Sequence, residues 1–280
     1  MQPYNIPHTM QKKGLRRNTI DKYYTKPAIA YQCIDLLRTH ADILSADVVV
    51  EPSAGAGAFL PPIRALPCHH KAYDIAPEDI AIETQDFFLF DPAILEPYHH
   101  VHIVGNPPFG RQSSLAIRFI KKACEFASTI AFILPKSFKK DSMQKAFDIN
   151  FHLVCEWDVP TNSFLVDDRE HDVPCVFQIW RKSDEARVPK ERIEPRGFRF
   201  VKKGEPHDIA FRRVGVNAGA IHRDTAHLSE QSHYFIIFTN GLSVDENIRR
   251  LSDIEFSHDN TVGPKSISKQ ELCAEFIPVL

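Results

Sequence analysis

The chain has 280 residues, a formal net charge of −2, 43% hydrophobic residues and 25% charged residues. That balance suits a globular protein of one large domain, or of one domain with an appendage, and excludes fibrous and wholly disordered classes. No apolar run reaches membrane-spanning length and residues 1–13 lack the apolar core of a signal peptide, so an intracellular protein is expected, cytoplasmic, or nuclear if the source is eukaryotic.

Residues 1–18 are polar and basic without periodicity and read as a flexible arm. Lys12, Lys13, Arg16, Arg17, Lys22 and Lys26 face only Asp21 in this region, and solvated surface is the plain explanation for one such stretch. Apolar residues then recur at helical spacing from Ala28 to Leu37, with Thr25 placed as an N-cap and Pro27 in the first turn. Val48-Val49-Val50 reads as a buried strand that runs into Glu51-Pro52-Ser53-Ala54-Gly55-Ala56-Gly57-Ala58-Phe59-Leu60. Strand, glycine turn and helix together make a nucleotide-cofactor arrangement. The dinucleotide fingerprint fails at its third glycine, where Leu60 stands. An acid at the strand end, Glu51, suits instead a ligand with a positive amino group, which favours S-adenosylmethionine over a nicotinamide cofactor.

Lys71–Ile75 reads as a second strand ending in an acid, Asp74, placed to hold ribose hydroxyls. Asp86 precedes Phe87 and Phe88 at the expected tip of a third strand, where it would accept from an adenine amino group. Either acid could equally be a turn or helix cap. Their order along the chain with Gly55, Gly57 and the motif that follows makes coincidence a poor explanation. His99-His100-Val101-His102 invites a metal reading, which is set aside. Neighbouring residues on a strand point to opposite faces, and no cysteine or carboxylate set is seen to complete a shell. The six cysteines form no Cys-x-x-Cys pair and read as reduced thiols.

Ile103-Val104-Gly105-Asn106-Pro107-Pro108-Phe109-Gly110 carries the most chemistry. Two prolines fix φ and remove two amide donors, so the strand must stop there. The Asn106 side-chain oxygen and the carbonyl before the second proline are acceptors that a planar amino group could bridge, and Phe109 offers an aromatic face. An amino group on an aromatic ring is a poor nucleophile because its lone pair is delocalised. Two acceptors that draw its hydrogens out of plane would free that pair. A Pro-Pro turn capping a strand, with Phe109 in the core, would leave the same sequence.

Ser113–Phe126 is predicted helical and Thr129–Leu134 a buried strand, followed by the basic loop Pro135 to Lys140. Phe151–Val159 and Val173–Trp180 are expected to form an antiparallel pair, with Phe164 on the loop between them. Strands alternating with helices imply a mostly parallel sheet covered on both faces, with ligands at the carboxyl ends of its strands. Beyond Arg181 the pattern changes. Gly197–Lys203 and Ile209–Gly215 alternate aromatic and basic residues in strand fashion, chemistry suited to phosphates and bases, or simply to a sheet with solvated arginines.

Taken together, these motifs resemble the S-adenosylmethionine-dependent adenine-N6 nucleic-acid methyltransferases of the NPPF/NPPY class, in their gamma-type order. The likeness spans roughly Asp21 to Trp180. It implies an α/β, Rossmann-like class I methyltransferase fold with a mostly parallel seven-stranded sheet, covering residues 19–183. Residues 184–280 would be a small β-rich extension that recognises substrate. It also implies S-adenosylmethionine bound by Thr25, Glu51, Pro52, Gly55, Gly57, Asp74, Ile75, Asp86, Phe87 and Asn106. The tetrapeptide Asn106, Pro107, Pro108 and Phe109 would be catalytic, with Phe109, Phe164, Lys136, Arg212 and Arg213 on the substrate. The expected partner is nucleic acid, DNA favoured over RNA, with no membrane and no metal in the reaction. Methylation of a protein glutamine amide and a catalytically inactive nucleic-acid-binding scaffold are the competing readings.

Overall fold

The computed structural model describes residues 23–166, 169–189, 191–256 and 265–280. The basic arm and residues 19–22 lie outside them. A seven-stranded sheet runs, edge to edge, through Glu83–Thr84, His69–Asp74, Val48–Glu51, Val101–Gly105, Thr129–Pro135, Cys175–Lys182 and Phe151–Asp158. Every pairing from Glu83 to Pro135 is parallel. Cys175–Lys182 alone is reversed, inserted between Thr129–Pro135 and Phe151–Asp158.

The β-branched and aromatic strands are buried on both faces, and their alternation sorts them into two cores. Val48, Val50, Ile103, Phe132 and Leu134 pack under the helix Ser114–Cys124 through Ala116, Phe119, Ile120 and Ala123. Val49, Val104, Ala131, Ile133 and Phe177 pack under Pro27–His40 through Ile29, Ala30, Cys33, Ile34 and Leu37. Burying the valine, leucine, isoleucine and phenylalanine side chains among them stabilises by about 1.5–3 kcal/mol each. The chain walks outward from Val48–Glu51 to Glu83–Thr84 and then returns to Val101–Gly105. The strand order therefore reverses beside Glu51, which opens a crevice at the carboxyl ends there.

Two expectations need correction on this side of the molecule. Thr25 is not the N-cap: Lys26 holds that place with no side-chain capping bond, while Tyr24–Thr25 forms a strand. Phe164 is not on an open loop. It begins the strand Phe164–Val166, pairs with Thr25, is 1% exposed and packs edge-on to Tyr23. It serves the core beneath the crevice and presents no ring to a substrate.

Beyond the large sheet, Phe198–Val201, His233–Phe238, Ile209–Arg212 and Ile221–His222 form a four-stranded antiparallel sheet in that spatial order. Helices Val244–Leu251 and Lys269–Phe276 cover one face of it, so this part is less purely β than its alternation suggests. Phe198 and Phe211 are the core under these helices, not stacking platforms. The expected substrate arginines are committed elsewhere. Arg212 donates to the Val214 carbonyl, and Arg213 donates to the Gln231 carbonyl and the Tyr234 hydroxyl. The basic loop is committed too. Lys139 and Lys136 pair with Asp158 at 2.8 and 3.8 Å, and Lys140 donates to the Ser266 carbonyl at 2.8 Å, tying the C-terminal part to the large sheet.

At the amino ends of the strands the reason for setting aside a metal also needs correction. His99 and His100 precede the strand Val101–Gly105, so alternation does not separate them, and Asp47 supplies a carboxylate beside both. Among the described residues, no helix is long and apolar enough to cross a membrane.

Candidate active site

The crevice at the switch point is a cleft of about 790 Å³ that gathers most of the residues singled out by the sequence. Glu51, Pro52 and Gly55 come from the tip of the first strand, Asp74 and Ile75 from the second, Asp86 and Phe87 from the third. Asn106 to Phe109 come from the fourth, and Thr25 closes from the side. Gly57 stands behind this wall. Its φ of +81° shapes the turn, and a Cβ there would lie 3.0 Å from Leu60 Cδ1. The leucine that breaks the dinucleotide pattern fills the room a third glycine would have left.

Close approach of the two central strand tips depends on Gly105. Its φ is +151°, and a Cβ would meet Glu51 Cγ at 3.3 Å, so the acid and the tetrapeptide share one wall. Glu51 is 2% exposed, and its Oε2 has no hydrogen-bond partner. Burial, with a smaller contribution from the Asp74 charge, pushes its carboxyl up to about 8. A buried acid without a partner is an open demand for a cation or donor in the cleft. Asp74 accepts the Gly55 amide on one carboxylate oxygen and the Ala76 amide on the other, both at 2.8 Å, which pins the glycine turn to the second strand. Asp86 caps the short turn Phe87–Leu89 by accepting the Phe88 amide at 2.9 Å. Both acids are thus caps as well as cleft residues, and the two readings left open by the sequence are not exclusive.

The tetrapeptide is held with a definite polarity. Asn106 Nδ2 donates to the Tyr23 carbonyl at 3.1 Å and to Thr25 Oγ1 at 3.2 Å. Both amide hydrogens are therefore committed, and Oδ1 is left buried with no partner. The Phe109 carbonyl accepts from the Leu115 and Ala116 amides, which fastens the motif to the next helix. Gln112 and Ser113, between them, have φ of 53° and 61°, a left-handed pair unusual outside glycine. Phe109 is half-buried and packs against both cores with part of its ring left in the cleft.

Sequence reasoning missed Tyr23, whose carbonyl orients Asn106, and missed the platform of Phe88 and Arg118, whose guanidinium lies 3.9 Å above the ring. Tyr23 and Tyr24 carried the signal of an aromatic pair before a helix. Arg118 carried none, since one arginine on an amphipathic helix looks like surface.

A mostly parallel seven-stranded sheet with one reversed strand next to the edge, and a ligand cleft at its switch point, is the Rossmann-like class I methyltransferase fold. S-adenosylmethionine is the methyl donor of that class, and the unpartnered acid Glu51 suits the amino group it carries. The chain belongs to the family described as the EDM2 methyltransferase-like domain, which matches residues 47–191, just over half of its length. It is 27% identical over 205 residues to Protein ENHANCED DOWNY MILDEW 2 of Arabidopsis thaliana, an alignment covering 65% of this chain and 15% of that one. The chain thus spans a small part of the length of this curated relative. Among solved structures it is similar to a candidate RNA methyltransferase from Pyrococcus horikoshii, at 16% identity and a TM-score of 0.47. That match covers 58% of this chain and 87% of the other. It is also similar to a type I restriction-modification methyltransferase subunit from Streptococcus thermophilus, at 14% identity and a TM-score of 0.41, covering 57% and 45%.

Proposed function

We propose that this chain transfers a methyl group from S-adenosylmethionine to the N6 amino group of adenine in nucleic acid, with DNA favoured over RNA. The observation that carries this reading is the Asn106 side chain in the cleft wall, whose amide hydrogens are both engaged and whose oxygen is buried without a partner. An exocyclic amino group is the complementary donor. Hydrogen bonding to Oδ1 would hold the amino group out of conjugation and turn its lone pair toward the methyl carbon. The cofactor supplies a methyl group on a positively charged sulfur. The amino nitrogen would take that methyl group as the carbon–sulfur bond breaks, leaving the neutral thioether, and the proton of the alkylated nitrogen would pass to water. The chain contributes positioning and electrostatics, with no covalent intermediate. Phe109 would stack on a base extruded from its strand.

Glu51 and Asp74 fit the ammonium and the ribose hydroxyls of the cofactor, with Ile75 and Phe87 beside the adenine and Asp86 accepting from its amino group. Asp74→Ala should weaken S-adenosylmethionine. Two charge-assisted bonds contribute on the order of 2–4 kcal/mol, and release of the Gly55 turn adds to the loss. Calorimetry giving unchanged affinity in a folded Asp74→Ala protein would take Asp74 out of the site.

The basic character of residues 1–18 and the exposed Arg196, Arg199 and Lys202 favour a polyanion over a protein amide as substrate. The test is methyl-labelled S-adenosylmethionine offered with duplex DNA, single-stranded DNA, RNA and a glutamine-containing peptide. Label in nucleic acid that declines steeply with salt is the expected result. Label in the peptide alone would replace this reading with amide methylation.

A further inference from the structure

A second cluster lies at the opposite end of the sheet from the cleft, and methyl transfer makes no use of it. Asp47 ends the approach to Val48–Glu51, and His99 and His100 end the approach to the neighbouring strand Val101–Gly105. One ligand atom from each of the three lies within 4.8 Å of the other two. Asp47 is fully buried, while both histidines are exposed.

The carboxylate is nearly saturated, and its remaining valence has a direction. Asp47 Oδ2 accepts the Leu44 amide at 2.7 Å and faces His102 Nε2 at 3.3 Å. Asp47 Oδ1 accepts the His100 amide at 3.1 Å. Of about four lone-pair sites on a carboxylate, three are thereby engaged. The fourth faces His99, whose Nδ1 is 3.9 Å away, too long for a hydrogen bond. Donor atoms sharing a tetrahedral Zn²⁺, with bonds of about 2.0–2.2 Å, stand roughly 3.3–3.6 Å apart. Small rotations of two exposed rings would close the difference while the buried carboxylate stays fixed. The imidazoles already lie side by side, 4.2 Å between centroids, and His100 Nδ1 meets the Ser128 hydroxyl at 3.4 Å, the outer contact that orients a ligating ring. His102, 3% exposed, backs the carboxylate in the same way.

We propose that Asp47, His99 and His100 form a binding site for a borderline divalent transition metal of the Zn²⁺ type, with water completing the shell. One carboxylate and two imidazoles suit Zn²⁺, Ni²⁺ or Cu²⁺ better than the hard ions Mg²⁺ and Ca²⁺, which require more oxygen ligands. The ion would join the starts of two adjacent central strands and so favour the folded chain.

The test is calorimetric titration of the metal-free full chain with Zn²⁺, alongside melting with and without the ion. His99→Ala and His100→Ala are the variants, because both side chains are exposed and their loss leaves Asp47 capped. One equivalent of Zn²⁺ should bind and raise the melting temperature, each variant should bind about tenfold or more weakly, and Mg²⁺ should not compete. His227→Ala, outside the cluster, should behave as the wild type. Zn²⁺ binding that is absent, or unchanged in both variants, would overturn the site. So would a Co²⁺ complex whose sulfur-to-metal absorption is lost in Cys68→Ser, which removes the partly buried free thiol that feels the Asp47 charge, since that places the metal on a thiolate.

Discussion

Asn106→Ala should lower methyl-transfer turnover by about two to three orders of magnitude, the scale of removing one preorganised polar group from a reaction centre. S-adenosylmethionine affinity should stay near the wild-type value, because the acceptor oxygen acts on the substrate amino group. Asn106→Asp keeps an acceptor but sets a carboxylate oxygen against the Tyr23 carbonyl, where the amide now donates at 3.1 Å. Partial activity is therefore expected. Thr25→Val gives an independent check. It removes the partner at 3.2 Å that helps fix the amide without touching the acceptor, so kcat should fall by about tenfold or less with binding retained. Phe109→Ala should act on a different parameter, raising KM for nucleic acid through loss of stacking worth roughly 1–3 kcal/mol, while Phe109→Tyr should be close to neutral. Single-turnover and steady-state kinetics on the five variants separate these roles. An Asn106→Ala protein with wild-type turnover would remove the asparagine from the chemistry.

Glu51→Gln should stabilise the free protein and disable it together. The Glu51 carboxyl sits at about 8 in the fold against an ordinary 4.5. Between those values the folded chain holds a proton that the unfolded chain has lost, so the contribution of Glu51 to stability falls as pH rises from about 4.5 to 8. Glutamine carries no such penalty. The melting temperature of Glu51→Gln relative to wild type should therefore climb across that window and level off above it. Cofactor binding should show the reverse. An ammonium placed beside Glu51 favours the carboxylate, so binding at pH 7 should release a proton and affinity should rise with pH until about 8. Calorimetry in buffers of different ionisation enthalpy counts that proton. A pH-independent affinity, or a Glu51→Gln protein that binds as well as wild type, would show that the carboxylate does not meet the amino group.

Much of the cleft was legible because its residues sit at punctuation marks. Glu51 and Asn106 each follow an apolar run and Asp74 ends a strand, and strand ends in a parallel sheet converge on one edge. What was lost lies in long-range pairing. Thr25 looks like a cap from its place before Pro27, yet Phe164, distant in sequence, pulls it into a strand and turns its hydroxyl onto Asn106. Phe164 itself reads as a loop residue because a three-residue strand is too short to show alternation. The basic residues misled for another reason: sequence gives their charge but not their partners, and Asp158, Ser266 and the Gln231 carbonyl claim Lys139, Lys140 and Arg213. The two C-terminal helices could have been found. Ser243-Val-Asp-Glu246 and Ser268-Lys-Gln-Glu271 both carry the spacing of a capping box, and Ser268 and Glu271 form one in full. The histidines stand out in the sequence, but the carboxylate that joins them does not, because Asp47 is distant in the chain from His99.

The most direct measurement is nucleoside mass spectrometry of DNA and RNA digested after incubation with the full chain and S-adenosylmethionine, with Asn106→Ala run in parallel. N6-methyladenine formed by the wild type and reduced to background by Asn106→Ala is the predicted result. Methylation at another base or ring position, or N6-methyladenine formed equally by both proteins, would contradict it.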